Sequence, residues 1–360
     1  MNPFSKSFLN EDWKAVPDAP RFYLGAFGKH PGWNDHLDDI GMATSSMIEA
    51  RRLLYGGIAS QIESAAWDKA GPEKVAPGFD HIFFWTRMGE TMTGLMWSST
   101  DGKGRALYPM ILMAHSVAQP SVWVPFSLLP QMERTAEMCR GAATAKAVIR
   151  EVEGAQEALR NKSMDTTMPP FARAADGVGG WAAHFAADTL GLRRVLHHMV
   201  GNLQAFAPGS TQWCEDSTKA AAATLRLPRI PGLAPAASLN SWISFVASQI
   251  DPAVPILGVL PRNGTWVDII VGEPALTDFF VLRALPAAMP LLTDIPYQLD
   301  PEMQNRFSAT LSELSRGELP AISCFNGEPT EAIREASVRW LAKFRPNDKS
   351  GFFSRFLKSS

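Results

Sequence analysis

Cysteine is scarce in this chain, with three cysteines in 360 residues. Cys139, Cys214 and Cys324 are far apart, odd in number and never part of a Cys-x-x-Cys pair. This pattern argues against a disulfide framework and against a zinc site of the usual spacing. We therefore expect buried thiols at these positions.

A strong charge of one sign and a long apolar run are also missing. The formal net charge is -2, so no basic field is available to attract nucleic acid, and none is expected as a partner. No stretch approaches the roughly 20 apolar residues of a membrane-spanning helix, and residues 1–12 lack the apolar centre of a signal peptide. These absences predict a cytoplasmic protein without a membrane span.

The composition that remains is typical of a packed globular protein. Hydrophobic residues make up 46% of the chain and charged residues 19%, and there are 11 tryptophans. A length of 360 residues favours two domains. The predicted fold class is α/β, with an antiparallel or mixed sheet flanked by helices, a helical middle region and a second, smaller α/β domain.

Sequence patterns divide the chain into consecutive parts. Pro228, Pro231 and Pro235 mark a linker between the two predicted domains. The parts are an irregular lead-in at 1–20, an α/β domain at 21–125, a helical region packed on it at 126–227, a second α/β domain at 237–345, and a flexible linker with an amphipathic tail at 346–360.

Strand and helix patterns recur in both predicted domains. The first contains a strand at 22–27, a helix from Ser46 and an antiparallel meander at 81–86, 91–97 and 107–113. The second contains a helix at 238–250, a hairpin at 256–260 and 266–271 with an Asn-Gly turn, and a third strand at 278–283.

The most unusual chemistry lies in the segment 27–41, FGKHPGWNDHLDDIG. Gly28, Pro31 and Gly32 predict a sharply turned loop that connects a strand to a helix. Ser46 and Glu49 have the spacing of a capping box and predict the start of that helix. Loops held between rigid elements commonly carry binding groups.

Metal and anion binding are two hypotheses for this loop. Imidazole and carboxylate are ordinary ligands of divalent ions. The candidate ligands are His30, Asp35, His36, Asp38 and Asp39. Their spacing matches no standard motif, and the alternative is that the aspartates cap turns while His30 packs in the interior. Lys29, Lys103 and Arg105 could instead hold an anion together with loop amides.

Motifs of the common hydrolases and nucleotide-binding proteins are absent. The chain contains no Gly-x-Ser-x-Gly, His-Glu-x-x-His or Walker A motif, and no Gly-x-Gly-x-x-Gly after a strand. No cofactor is therefore predicted.

Two segments carry a resemblance to a known family. Phe27-Gly28-Lys29-His30-Pro31 with Asp35 resembles the strand-and-loop motif of the TagF/ImpM accessory proteins of bacterial type VI secretion. Asp101, Gly104, Arg105, Tyr108 and Pro109 resemble their second motif. The match covers about residues 22–115. This chain has His36 where the family has an aromatic residue, and one extra residue before the Tyr-Pro pair.

The resemblance implies a non-enzymatic regulator or assembly factor in the cytosol that acts through contacts with a protein of a secretion system or signalling system. The alternative is a metal- or phosphate-dependent hydrolase that uses the loops 28–39 and 98–109. The candidate binding residues are Gly28, Lys29, His30, Pro31, Trp33, Asn34, Asp35, His36, Asp101, Gly104, Arg105, Tyr108 and Pro109.

The tail forms a separate candidate docking element. If it is helical, Phe352, Phe353, Phe356 and Leu357 share one apolar face. A helix of about eight residues is too short to be stable alone in water, so this face must dock to become ordered. A groove on a partner protein is the favoured occupant.

Overall fold

The computed structural model describes residues 21–87, 90–117, 124–160, 189–206, 222–251 and 253–295, together with positions 301 and 305. The predicted lead-in and the tail residues Phe352, Phe353, Phe356 and Leu357 lie outside the described residues. Among the described residues, no helix combines the length and apolar character needed to cross a membrane.

Eight strands lie in one sheet within this part of the chain. They are β1 (Arg21–Lys29), β2 (His36–Ile40), β3 (Asp80–Arg87), β4 (Glu90–Ser98), β5 (Pro109–Val117), β6 (Ala223–Pro228), β7 (Ile256–Pro261) and β8 (Trp266–Val271). Their order is β2-β1-β5-β4-β3-β7-β8-β6, and every described pairing is antiparallel. The α/β class with an antiparallel sheet, the meander β3 to β5 and the hairpin β7–β8 are therefore confirmed.

Helices cover both faces of this sheet. The described α-helices are α1 (Ser45–Glu63), α2 (Ala66–Ala70), α3 (Val124–Gly141), α4 (Ala145–Arg160), α5 (Thr189–Leu203) and α6 (Pro235–Gln249). Leu24 and Leu112 point to the face packed by α3 to α6, whereas Phe83 and Met113 point to the face packed by α1, α2 and the segment 276–289. Because both faces are covered, the central strands are buried along most of their length instead of alternating, and in β4 every residue from Thr91 to Trp97 is buried.

The sheet runs without interruption through both predicted domains. β3 pairs with β7 from His81 opposite Pro261 to Thr86 opposite Ile256. Each of the two hydrophobic clusters also combines residues from before and after the linker at 228–236. The strands expected to form a second sheet thus extend the first one, and the linker connects β6 to α6 beside it.

Three predicted elements differ from the observed ones. Residues 223–228, predicted to end the helical region, form strand β6, in which buried Arg226 faces Asp268 on β8. The predicted third strand at 278–283 is instead a 3-10 helix over Leu276–Leu282. Its Asp278 carboxylate accepts from the Ala275 amide at 2.8 Å, which closes a turn that an aromatic run alone does not reveal.

The third difference concerns the start and the middle of α1. The side chain of Thr44, not that of Ser46, caps the helix by accepting from the Met47 amide, at 3.2 Å. Ser46 donates instead to Glu90 at 2.6 Å. The helix also continues through the glycine pair at 56–57, where a Cβ on Gly57 would lie 2.2 Å from the Phe279 ring. Gly57 therefore permits close packing instead of a break.

Buried His81 should make the stability of the fold depend on pH. The ring is enclosed on β3, and this burial lowers its pKa to about 4 despite a hydrogen bond to the Leu282 carbonyl. The unfolded chain takes up a proton near the ordinary pKa of His, about 6.5, so the folded state is favoured above that pH and loses stability as the pH falls toward 4. The full difference corresponds to roughly 3 kcal/mol.

Urea unfolding between pH 8 and pH 4.5 measures this dependence. His81→Gln should be less stable than the natural protein at pH 8, and its stability should fall less steeply with decreasing pH. An unchanged slope in the variant would show that His81 takes up its proton normally.

Candidate functional site

The two candidate loops lie next to each other at one end of the sheet. Pairing of Ser98 with Pro109 brings the connection between β4 and β5 to the end of β1, because β1 and β5 are neighbours. Gly28 has φ of +120°, and a Cβ there would lie 2.2 Å from the Pro109 carbonyl oxygen. Glycine is thus required at this close approach of the two strands.

The first loop is shorter than predicted. The segment 28–39 was expected to connect a strand directly to a helix, but His36–Ile40 forms β2, which pairs with β1. A bulge between Ala26 and Gly28 shifts the register of this pair. The connection is therefore a hairpin loop over residues 30–35, and His36 begins an edge strand.

A buried ion pair joins the two loops. Lys29 Nζ lies 2.7 Å from Asp101 Oδ2 and 3.0 Å from Asp35 Oδ1. Lys29 is 4% exposed and Asp101 is 1% exposed, so this contact is enclosed by protein. Lys29 is therefore paired with carboxylates, which does not support its predicted role as an anion ligand.

Asp101 also organises its own turn. Its Oδ1 accepts from the amides of Lys103 and Arg105, both at 3.0 Å, and its Oδ2 accepts from Arg105 Nε at 2.7 Å. Burial opposes ionisation of this carboxylate. The hydrogen bonds from Lys29 and from the loop amides outweigh burial, and the pKa of Asp101 lies well below its usual value.

Arg105 closes the network on the outside. Its Nη2 lies 3.1 Å from Asp35 Oδ1 and donates to the Asn34 carbonyl at 2.9 Å. The Asp35 carboxylate is exposed, and hydrogen bonding to Lys29, followed by the charges of Lys29 and Arg105, lowers its pKa. Asp35 of the first motif and Arg105 of the second are therefore in contact, and Lys29 and Asp101 connect them from the buried side.

His30 fixes the first loop to the helix layer. Its Nδ1 accepts from the Gly32 amide at 3.0 Å, so the Nε2 atom carries the proton and donates to the Cys139 carbonyl at 2.9 Å. Burial lowers the pKa of His30, which favours this neutral form. Both ring nitrogens are therefore hydrogen-bonded within the protein. His30 packs in the interior, which was the alternative to metal binding given above.

Backbone contacts also hold the two loops together. The Gly102 amide donates to the Trp33 carbonyl at 2.6 Å, and the Trp33 ring lies edge-on to His30 with centroids 5.7 Å apart. A Cβ on Gly32 would lie 2.5 Å from the Ala145 amide nitrogen at the start of α4. The first loop is therefore packed on one side against the second loop and the helices α3 and α4.

An aromatic cluster flanks the ion network. The His36 ring contacts Tyr55 and Tyr108 with centroid distances of 5.5 and 5.1 Å, and Tyr55 and Tyr108 are 5.5 Å apart. Arg51 lies over the Tyr55 ring at 5.3 Å and bonds Asp39 at 2.8 Å. Asp39 thus stabilises the outer edge of the cluster instead of joining a metal site.

The outer surface of the site combines polar and apolar groups. Leu107 is 62% exposed in the second loop, although leucine is usually buried. Pro31, Asn34 and Asp35 are exposed on the first loop. The exposed surface of the site is therefore mixed, and a single exposed leucine is common on protein surfaces.

The site brings together the predicted residues of both loops. Gly28, Lys29, Asp35, Asp101 and Arg105 form the joint, and Gly104, at φ of +76°, completes the turn by donating to the Asp101 carbonyl at 2.9 Å. Pro109 begins β5. Within the described ranges, no three His, Cys, Asp or Glu side chains lie together in an arrangement that would hold a metal ion.

Three contacts of the candidate site were not predicted from the sequence. Tyr55 joins the cluster from α1, Gly102 supplies the amide that binds Trp33, and Cys139 contributes its carbonyl oxygen. Tyr55 lies three residues before the core residue Ile58, and this helical spacing could have indicated that both side chains lie on the side of the sheet. The backbone groups of Gly102 and Cys139 carry no sequence signal.

Comparison with known proteins adds a distant structural neighbour. No protein-family model matches the chain, and no curated protein matches it. A similar solved structure is that of PA0076 from Pseudomonas aeruginosa PAO1, with 19% sequence identity and a TM-score of 0.26. The match covers 41% of this chain and 64% of that chain, which is less than two thirds of its length.

Proposed function

We propose that this chain is a non-enzymatic binding protein that presents the loops 30–35 and 99–108 as one rigid surface to a protein partner. The observation that carries the proposal is the network of Lys29, Asp35, Asp101 and Arg105, whose charges bind one another across the two loops. A surface held in this way is organised before its partner arrives, which reduces the cost of binding.

The protonation states of the site residues favour a protein-binding role over acid-base catalysis. The pKa values of Asp35 and Asp101 are both lowered, whereas a general base works best with a pKa near the operating pH. His30 is neutral and uses both nitrogens within the protein. These carboxylates and this imidazole are thus better suited to holding structure than to moving protons.

The biological role that we propose is that of a cytosolic accessory factor in type VI secretion, similar to the TagF/ImpM proteins. Its support is the motif resemblance together with geometry: Lys29 and Asp35 of the first motif contact Asp101 and Arg105 of the second. A contact between the motifs gives a physical reason for their occurrence together. The partner would be a component of the secretion machine.

A double-mutant cycle on Asp35 and Arg105 tests the shared surface. Partners captured from a lysate of the native host are identified by mass spectrometry, and the affinity of the main partner is then measured for each variant. Asp35→Ala and Arg105→Ala should each weaken binding about tenfold, as expected for charge-assisted contacts. The loss of affinity in the double variant should be much smaller than the product of the two single losses, because the two residues are in contact.

Thermal unfolding supplies the control for this cycle. Asp35→Ala should keep a melting temperature close to that of the natural protein, because exposed ion pairs add little to stability. Arg105→Ala should lower it somewhat more, because it also removes a hydrogen bond to the buried carboxylate of Asp101. Arg160→Ala, an exposed cation on α4, should bind normally. Strictly multiplicative losses, or single variants with full affinity, would remove the Asp35–Arg105 pair from the binding surface.

A further inference from the structure

A cavity of about 460 Å³ lies beside the start of β3, apart from the two loops. Three segments line it: residues 76–81, the turn of the hairpin β7–β8 through Pro261, Asn263, Gly264 and Trp266, and residues 282–285. Its volume falls in the range of small-molecule sites, which runs from about 300 to 1,000 Å³. None of the loop residues described above lines this cavity.

The walls of the cavity are cross-linked by the backbone. The Ala76 amide donates to the Arg283 carbonyl at 2.7 Å, and the Leu285 amide donates to the Lys74 carbonyl at 2.8 Å. Between these bonds, Val75 and Ala284 form an antiparallel bridge. The Arg262 amide also donates to the Asp80 carbonyl at 2.9 Å, which ties the hairpin turn to β3. The cavity is therefore preformed.

The lining is largely apolar and includes aromatic rings. Phe79, Trp266, Leu282 and Leu285 contribute most of its large side chains. His81 adds a ring whose pKa of about 4, lowered by burial, keeps it neutral at pH 7. Such walls favour an apolar ligand body.

Arg283 supplies the main polar group of the lining. Its guanidinium lies over the Trp67 ring at 5.0 Å and the Phe79 ring at 6.0 Å, and its Nε donates to the Ala76 carbonyl at 2.8 Å. Within the described part of the chain, its two terminal nitrogens have no hydrogen-bond acceptor. Asp68 acts on it electrostatically without forming an ion pair.

The other charge of the lining is already countered. Asp80 Oδ1 lies 3.5 Å from Arg262 Nε, and this arginine also contacts Glu133 at 3.2 Å. A cationic ligand would therefore compete with Arg262 for Asp80. The unused donors of Arg283 point instead to an acceptor on the ligand, and a planar guanidinium binds a carboxylate through two parallel bonds.

We propose that this cavity is a binding site for a small carboxylic acid with an aromatic or branched aliphatic body. The carboxylate binds the terminal nitrogens of Arg283, and the apolar body packs between Phe79, Trp266 and Leu285. This site is independent of the partner surface proposed above.

Isothermal titration calorimetry with the full chain tests the proposal. The probes are 4-phenylbutyrate, its neutral analogue 4-phenylbutanamide, and a Gly-Gly-Phe tripeptide with a free carboxyl end. We expect the acid to bind about tenfold more tightly than the amide, as charge-assisted pairs are stronger than neutral ones. Arg283→Gln should abolish this difference, and Leu285→Trp should block both probes by filling the cavity.

Two controls make the result decisive. Arg140→Gln removes another guanidinium that lies over a tryptophan, at 4.8 Å from the Trp97 ring, and should bind the acid normally. Thermal unfolding of each variant shows that it is folded. The proposal is overturned if the acid and the amide bind equally, if Arg283→Gln keeps the preference, if the tripeptide binds while the small acid does not, or if no probe binds at millimolar concentration.

Discussion

Replacing Arg226 by Met should lower the free energy of unfolding by about 3–5 kcal/mol, the usual cost of leaving a buried charge unpaired. Arg226 is fully buried on β6, and its Nε and Nη2 bind the two oxygens of Asp268 at 2.7 and 2.8 Å. Its Nη1 donates to the Met289 carbonyl at 2.8 Å. Methionine would leave Asp268 with a single side-chain donor, Trp266 Nε1, at 3.1 Å.

The pH dependence of this loss identifies its cause. Burial already raises the pKa of Asp268, and the charge of Arg226 opposes that rise. Without Arg226 the pKa should rise further above the unfolded value of about 3.9, so the variant loses stability as the pH increases through this interval. Urea unfolding should therefore show a larger loss at pH 8 than at pH 5.

Two further variants complete the experiment. The double variant Arg226→Met with Asp268→Leu should recover much of the lost stability, because an apolar pair can replace a buried ion pair. Arg229→Met, near the end of the same strand, should cost far less, since its Nη2 makes one long contact with the Leu233 carbonyl at 3.3 Å. A loss below about 1 kcal/mol in Arg226→Met would show that the pair is dispensable.

Cutting the chain between β6 and α6 should not release two independent domains. With a protease site inserted after Gly232, which is exposed in the 229–234 connection, the two fragments should stay together in size-exclusion chromatography. They should separate in denaturant. The reason is that β3 pairs with β7 and β6 pairs with β8, so each fragment supplies strands to the sheet of the other.

Each fragment expressed alone should fail to unfold cooperatively. The first would expose the edge of β3, with Ile82 and Phe84 uncovered, and the second would lack the strand against which β7 packs. The uncut protein with the inserted site is the control. Two fragments that elute separately, each with a cooperative unfolding transition, would show that the linker divides two domains.

Local patterns were sufficient to predict much of the architecture. The aromatic and apolar runs of β3 to β5 predicted a meander, and an Asn-Gly turn predicted the hairpin β7–β8. The two loops were recognised from Gly, Pro and charged residues. These features depend on neighbouring residues, so the sequence itself carries their signal.

Elements that depend on distant partners were not predictable in the same way. β6 follows an alanine-rich run that predicts a helix. It is a strand in the structure, where it pairs with β8 and Arg226 bonds Asp268, 42 residues later. The aromatic run at 278–283 predicts a strand. In the structure Phe279 packs against Gly57 of α1, and the backbone forms a 3-10 helix. In both cases tertiary packing overrides the local preference.

In the candidate site, too, local patterns predicted some features and distant partners determined others. The sequence identified the two loops that follow β1 and β4 and named Asp35 and Arg105 among their candidate binding residues. Only the tertiary structure showed that Lys29 is buried against Asp101. Lys29 was expected to bind an anion, but it instead connects the two loops through this ion pair. The physical reason is that burial of a charge is determined by partners 72 positions away, which no local pattern records.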